Sequence, residues 1–234
     1  MHTRRLLYCG LAAALCWTIG DILLVGFVQE PQRYPLFSHT LAARLGGRAD
    51  MAVLMLSASP KRLFLGVLPA TFSAVFYLAA ACGAYRLMYP GRAAKLCFSL
   101  LAAGYALSPL AHAGFYYLGI SAQTLLTAPP EVYPLLLAQF HRFYVMLAVH
   151  WAASVGLLAL GWLVLLVQTL RGQTCLPRAA WCANPLFAGT VIASVCSLFP
   201  QSAVAAAVGG ATFNLAQLLF YAVSSRCRGS RGAA

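Results

Sequence analysis

The chain has 234 residues, of which 62 % are hydrophobic and only 9 % charged, and its formal net charge is +12 at neutral pH. So little charge cannot cover a water-soluble surface, and the composition defines a polytopic membrane protein with a single integral domain over 1–234. The positive charge does not mark nucleic-acid binding, because the 16 Lys and Arg residues sit at segment ends and nowhere alternate with aromatics in a soluble module.

The first predicted element is an apolar run over 6–28, interrupted by one carboxylate, Asp21, after Trp17, Thr18, Ile19 and Gly20. About 20 apolar residues cross a bilayer core as a helix, and this run has no proline and no interior basic residue. Arg4, Arg5 and the alanines at 12–14 resemble the start of a signal peptide, but apolar character continues well beyond an h-region, so an uncleaved first span is expected. An ionised side chain at that depth costs roughly 2.5 kcal/mol or more, so Asp21 is expected to face the protein interior and find a partner.

The connection 29–62 carries Pro31, Pro35, Gly46 and Gly47 and holds two short helical stretches. Ser38 is placed to cap a helix ending at Gly46, and Asp50 to cap a second running from Met51 to Ser57. Both are too short to cross, and their apolar residues (Leu41, Leu45, Met51, Leu54, Met55) predict helices lying in the interface. The second span, 63–87, sets Ser73 and Tyr77 one turn apart on one face. The third, 96–118, carries Ser108, His112 and Tyr116 as a polar stripe at i, i+4 and i+8, with Pro109 within it.

A loop is expected over 119–134, then a helical stretch from Leu135 divided by Arg142, so that the fourth span covers 143–170 and puts His150 and Ser154 on one face. Asn184 and Pro185 introduce a short fifth span within 183–200, and the sixth covers 203–223. In this last span Gly210, Asn214, Gln217 and Tyr221 form a helical stripe of small and polar residues, the composition of a helix–helix contact in a membrane. Five cysteines (Cys9, Cys16, Cys82, Cys97, Cys196) fall inside apolar runs, where a thiol behaves as a small hydrophobe, and Cys175, Cys182 and Cys227 fall in loops without the spacing of a zinc or redox pair.

Six spans put both termini on one side. That side gathers Arg4, Arg5, Arg86, Arg92, Lys95, Arg171, Arg178, Arg226, Arg228 and Arg231, against Arg33, Arg44, Arg48, Lys61, Arg62 and Arg142 on the other. The positive-inside rule then predicts a cell inner (plasma) membrane protein with both ends cytoplasmic. At about 1.5 Å of rise per residue, Asp21, His112 and His150 all come out roughly 10 Å below the outer surface. Asn214, Ser73 and Tyr77 come out deeper, and Tyr116, His141 and Arg142 nearer the mouth.

One carboxylate and two imidazoles at a common depth have three uses. Asp oxygen and His nitrogen are ordinary zinc ligands, so Asp21, His112 and His150 offer a metal site with an open position. A His–Asp pair serves as general acid and base on a lipid-soluble substrate, although the chain has no G-x-S-x-G nucleophile motif. Intramembrane Asp and His also bind or relay protons and small solutes in transporters. The leading expectation is an outward-facing pocket that takes a small or lipid-like molecule among membrane lipids, with an intramembrane enzyme as the alternative.

Gly20 with Asp21 in the first span, His112 after a proline in the third, Asn184 with Pro185 before the fifth, and Asn214 with Phe220 in the last together resemble an uncharacterised family of bacterial multi-span membrane proteins. The resemblance supports the span count and singles out the same residues, and it implies no chemistry.

Overall fold

The computed structural model describes residues 3–226; Cys227, Arg228 and Arg231 lie outside them. Every helix or strand assigned there is helical: α1 (Thr3–Val25), α2 (Ala42–Leu45), α3 (Arg48–Leu56), α4 (Pro60–Leu87), α5 (Arg92–Thr127), α6 (Tyr133–Leu170), α7 (Pro185–Ser197), α8 (Ala203–Gly210) and α9 (Thr212–Arg226), with short 3-10 and π turns between some of them. Four segments, Thr3–Val25, Pro60–Leu87, Arg92–Thr127 and Pro130–Leu170, are long and apolar enough to cross a membrane, and the pair α8 and α9 makes a fifth if counted as one span. Large apolar side chains stand outward on these helices, among them Phe72 (75 % exposed), Val75 (61 %) and Val149 (59 %). A protein in water rarely shows apolar surface on that scale, whereas lipid accommodates it.

α1, α4, α5, α6 and α9 enclose a common core. α1 packs on α4 and α9, α4 on α5, and α5 on α6. Trp162 of α6 meets Phe220 and Tyr221 of α9 at ring centroids 4.7 and 6.0 Å apart. Small residues set the helix spacing. A Cβ on Gly20 would lie 2.7 Å from the Gly66 carbonyl oxygen, so α1 and α4 touch backbone to backbone one residue before Asp21.

One end of the bundle carries the start of α1, the α4–α5 turn and the α6–α7 connection; it is called the near end below. Here the Cys175 amide donates to the Leu87 carbonyl at 2.8 Å and the Tyr89 amide to the Gln173 carbonyl at 3.0 Å, stitching the two connections together. Asn184 fixes the entry to α7: its amide nitrogen donates to the Trp162 carbonyl and its oxygen accepts from the Leu186 amide.

At the far end, α5 and α6 run longer than expected. The loop predicted over 119–134 is largely helix, because α5 continues to Thr127, and α6 begins at Tyr133 and passes Arg142 without a break. The reason is the 29–59 connection, which packs on these extensions. Leu41, Leu45, Val53 and Met55 share a buried cluster with Leu118, Ala122, Leu125 and Phe140. Gln123 donates to the Met55 and Ala58 carbonyls, satisfying the end of α3. Helices occur near both predicted positions, but the capping differs: Ser38 donates to the Tyr34 carbonyl, and Gly47, not Asp50, stands at the N-cap of α3.

The last two predicted spans also differ. α7 has 13 residues, about 20 Å of helix against the roughly 30 Å of a hydrocarbon core. The expected sixth span is broken, with α8 and α9 bent by 67°. At the break, Gly210 comes so close to the end of α1 that a Cβ there would lie 3.1 Å from the Val25 carbonyl oxygen. The bend lets α9 lie along α1 and brings Asn214, in its first turn, onto Asp21.

Candidate functional site

Asp21 sits on α1 just past the Gly20–Gly66 contact, and His112 reaches it from α5: the imidazole Nε2 lies 3.1 Å from Asp21 Oδ1. The side chains are 16 % and 10 % exposed. The other ring nitrogen, Nδ1, lies 3.0 Å from the Ser108 carbonyl oxygen. A carbonyl only accepts, so Nδ1 carries a hydrogen. A single further proton then occupies the gap between Nε2 and Oδ1. Whether it rests on the imidazole or on the carboxyl, the pair as a whole is neutral.

The second oxygen of Asp21 ends a chain of donors. Asn214 Nδ2 donates to Asp21 Oδ2 at 2.6 Å. Asn214 Oδ1 accepts from the Tyr77 hydroxyl at 2.8 Å and from Gln217 Nε2 at 3.4 Å. Gln217 Oε1 accepts from the Tyr105 hydroxyl, which leaves Tyr221 as the donor to Tyr105 across 3.0 Å. Every hydrogen bond in this chain points toward the Asp21 carboxyl group, so the dipoles align along it and reinforce one another. The two amides carry no labile proton and interrupt any relay, so the tyrosines act on Asp21 as oriented dipoles.

Aromatic packing fixes these groups. Tyr77 and Tyr105 stack with centroids 4.3 Å apart and an interplanar angle of 4°, and the edge-on indole of Trp17 contacts Tyr77 at 4.8 Å and His112 at 4.9 Å. Beside the pair lies a cavity of about 250 Å³. One wall is α6 (Trp151, Ser154, Val155, Leu158) and another the α8–α9 break (Gly209, Gly210, Thr212, Phe213), while Asp21, His112, Asn214 and Ser108 supply its polar patch. Ser108 and Ser154 share a hydrogen bond of 2.9 Å across this space.

Asp21, His112, Asn214, Tyr77 and Ser108 therefore come together as a single network or line its cavity. His150 does not join them. Its Nδ1 turns back to the Met146 carbonyl of its own helix at 2.7 Å, and the neighbouring Trp151 and Ser154 face the cavity instead. Equal depth along two helices does not imply the same azimuth, and the expected Asp21–His112–His150 ligand set is not assembled. Among the described residues no three His, Cys, Asp or Glu side chains converge as metal ligands do.

The remaining expected residues lie apart. Ser73 donates to the Pro69 carbonyl, and Tyr116 packs edge-on against Phe64 and Tyr117. Arg142 is exposed on α6, and His141 beside it contacts Arg48. Trp17 and Tyr105, which pack into this network, were not among the candidates the sequence offered.

Fold and site together define a helical protein with several membrane-spanning-length apolar helices and a buried carboxylate–imidazole pair. The chain belongs to DUF6796, a family of unknown function, whose model matches residues 1–226. No curated protein and no solved structure matches it.

Proposed function

We propose that this is a six-pass protein of a bacterial-type inner (plasma) membrane that binds and handles a small or lipid-like molecule in the cavity beside Asp21 and His112. The four long apolar helices and the bent α8–α9 pair supply five crossings. α7, lengthened by the helical turn Arg178–Ala183 ahead of it, supplies the sixth. Both termini are cytoplasmic in this reading, supported among the described residues by eight basic side chains at the near end (Arg4, Arg5, Arg86, Arg92, Lys95, Arg171, Arg178 and Arg226) against six at the other.

The observation that carries the function is the coupling of a net-neutral carboxylate–imidazole pair to a largely apolar cavity. Ionisable groups inside a membrane domain are costly and mark ligand pathways. A volume of about 250 Å³ lies below the usual range for a drug-sized pocket, so it suits a small molecule or the polar end of a lipid. A lipid tail would leave between α6 and the α8–α9 break, where Trp151 is half exposed. Hydrolysis is the less supported reading, because both imidazole nitrogens are engaged and neither is left to serve Ser108 or Ser154 as base.

Photoreactive diazirine phospholipids added to membranes holding the protein test this reading. Labelling is expected at 151–158 and 209–217, reduced at least about tenfold in Val155→Trp, which fills the cavity. Labelling confined to outward residues such as Phe72 and Val75 would count against it.

A further inference from the structure

A second cavity, of about 620 Å³, opens at the far end of the bundle, among the end of α1, α3, the end of α7 and α8. Gln29, Ser197 and Gln201 give it polar edges, and Phe27, Leu54 and Phe199 apolar ones. It shares three lining residues with the Asp21 cavity: Val25, Gly209 and Gly210. The two spaces are therefore neighbours, separated by the last turn of α8 where it meets the end of α1.

That turn fits closely on both sides. A Cβ on Gly210 would lie 3.1 Å from the Val25 carbonyl oxygen, and one on Gly209 would lie 3.4 Å from Cys196 Cβ on α7. The two glycines let α8 seat between α1 and α7 and close the passage. The rest of α8 is held loosely. Of the nine α-helices among the described residues, it is the one that buries no side chain. Ala211, directly after the glycines, is fully buried, and Asn214 three residues on is tied to Asp21. A helix without buried side chains, joined to an anchored one through two glycines at a 67° bend, has the build of a hinged element. With so few buried contacts it opens at low cost while the core beneath stays packed.

We infer that α8 is a gate. The far-end cavity is a vestibule that receives a small molecule, or the polar end of a lipid, from the outer side. Movement of α8 about Gly209 and Gly210 then joins this vestibule to the Asp21 cavity. The inference rests on the binding reading above and adds the route by which the ligand enters; the competing route is the lateral opening beside Trp151.

The contact between α8 and α7 supplies a lock for the test. With Cys196 in place, Gly209→Cys sets two Cβ atoms 3.4 Å apart, close to the roughly 3.5–4.5 Å of a disulfide, and oxidation pins α8 in the closed position. Val155→Cys, on the α6 wall of the Asp21 cavity, reports entry. Right-side-out membrane vesicles are treated with a membrane-impermeant trimethylammonium methanethiosulfonate, and modification at position 155 is followed by peptide mass spectrometry. Modification of Val155→Cys/Gly209→Cys is expected when the protein is reduced and to slow at least about tenfold after oxidation. Adding Cys196→Ser should remove the effect of oxidation. Equal rates in the reduced and oxidised protein would overturn the gate. Modification by membrane-permeant N-ethylmaleimide alone would place entry on the lipid side, overturning the gate and leaving the cavity reading intact. Modification by neither reagent would mean that the cavity does not open and would end both. Should Gly209→Cys not fold, Gly210→Ala, whose methyl group would press on the Val25 carbonyl and hold the turn away from α1, must speed modification of Val155→Cys for the gate to stand.

Discussion

Asp21→Leu is expected to destabilise the protein by about 2–4 kcal/mol, read as a fall in thermal midpoint in detergent. The substitution removes the acceptor of Asn214 Nδ2 and the partner of His112 Nε2 together. Each buried polar group left without a partner costs about 1–3 kcal/mol. The pair is neutral as a whole, so without the carboxyl group His112 is a neutral imidazole whose Nδ1 keeps its hydrogen bond to the Ser108 carbonyl, and the penalty of a stranded buried charge does not apply. Hydrogen bonds between membrane helices are individually modest, which argues for the lower half of the range. A midpoint equal to wild type would mean that the network does not hold α1 to α5 and α9.

Gly20→Ala is expected to cost about 2–3 kcal/mol, while Gly156→Ala on α6 should be neutral or slightly stabilising. The chemistry is identical and the surroundings differ. At Gly20 the added methyl group would lie 2.7 Å from the Gly66 carbonyl oxygen, and backbone can yield only if α1 and α4 separate. At Gly156 nothing lies within 4 Å, so the gain in helix propensity over glycine, about 0.8–1 kcal/mol, is unopposed. Equal responses at the two sites, in side-by-side thermal denaturation, would show that the α1–α4 contact is not close-packed.

The helices that carry the polar pair were legible from hydropathy, and so was the need of Asp21 for interior partners, because a charge inside an apolar run has few acceptable environments. Asn214 was legible in its helical stripe with Gln217 and Tyr221, although the direction of the donors requires coordinates. What depth arithmetic could not supply was rotation about each helix axis. His150 shares Asp21's calculated depth but turns to Met146, one residue away from the face that carries Trp151 and Ser154 to the cavity. The extension of α5 to Thr127 was hidden because Gly119 reads as a stop, whereas the fold uses it to let Leu63 and Met55 approach. The break at Gly210 is likewise tertiary: an apolar, alanine-rich segment that reads as one span bends where it meets the end of α1.

The central claim is that Asp21 works on a ligand and does not merely tie helices together, and Asp21→Asn separates these roles. Asparagine can accept from Asn214 with its oxygen and donate to a neutral His112 with its nitrogen, so the hydrogen bonds persist while the shared proton and the charge are lost. The measurement is lipid and small-molecule mass spectrometry on wild type and Asp21→Asn purified in parallel in mild detergent, with the thermal midpoint of each. The wild type should carry a specific molecule that is absent from the variant, at midpoints that differ by less than the equivalent of about 1 kcal/mol. Identical bound contents in the two proteins would contradict the account and leave Asp21 a structural residue.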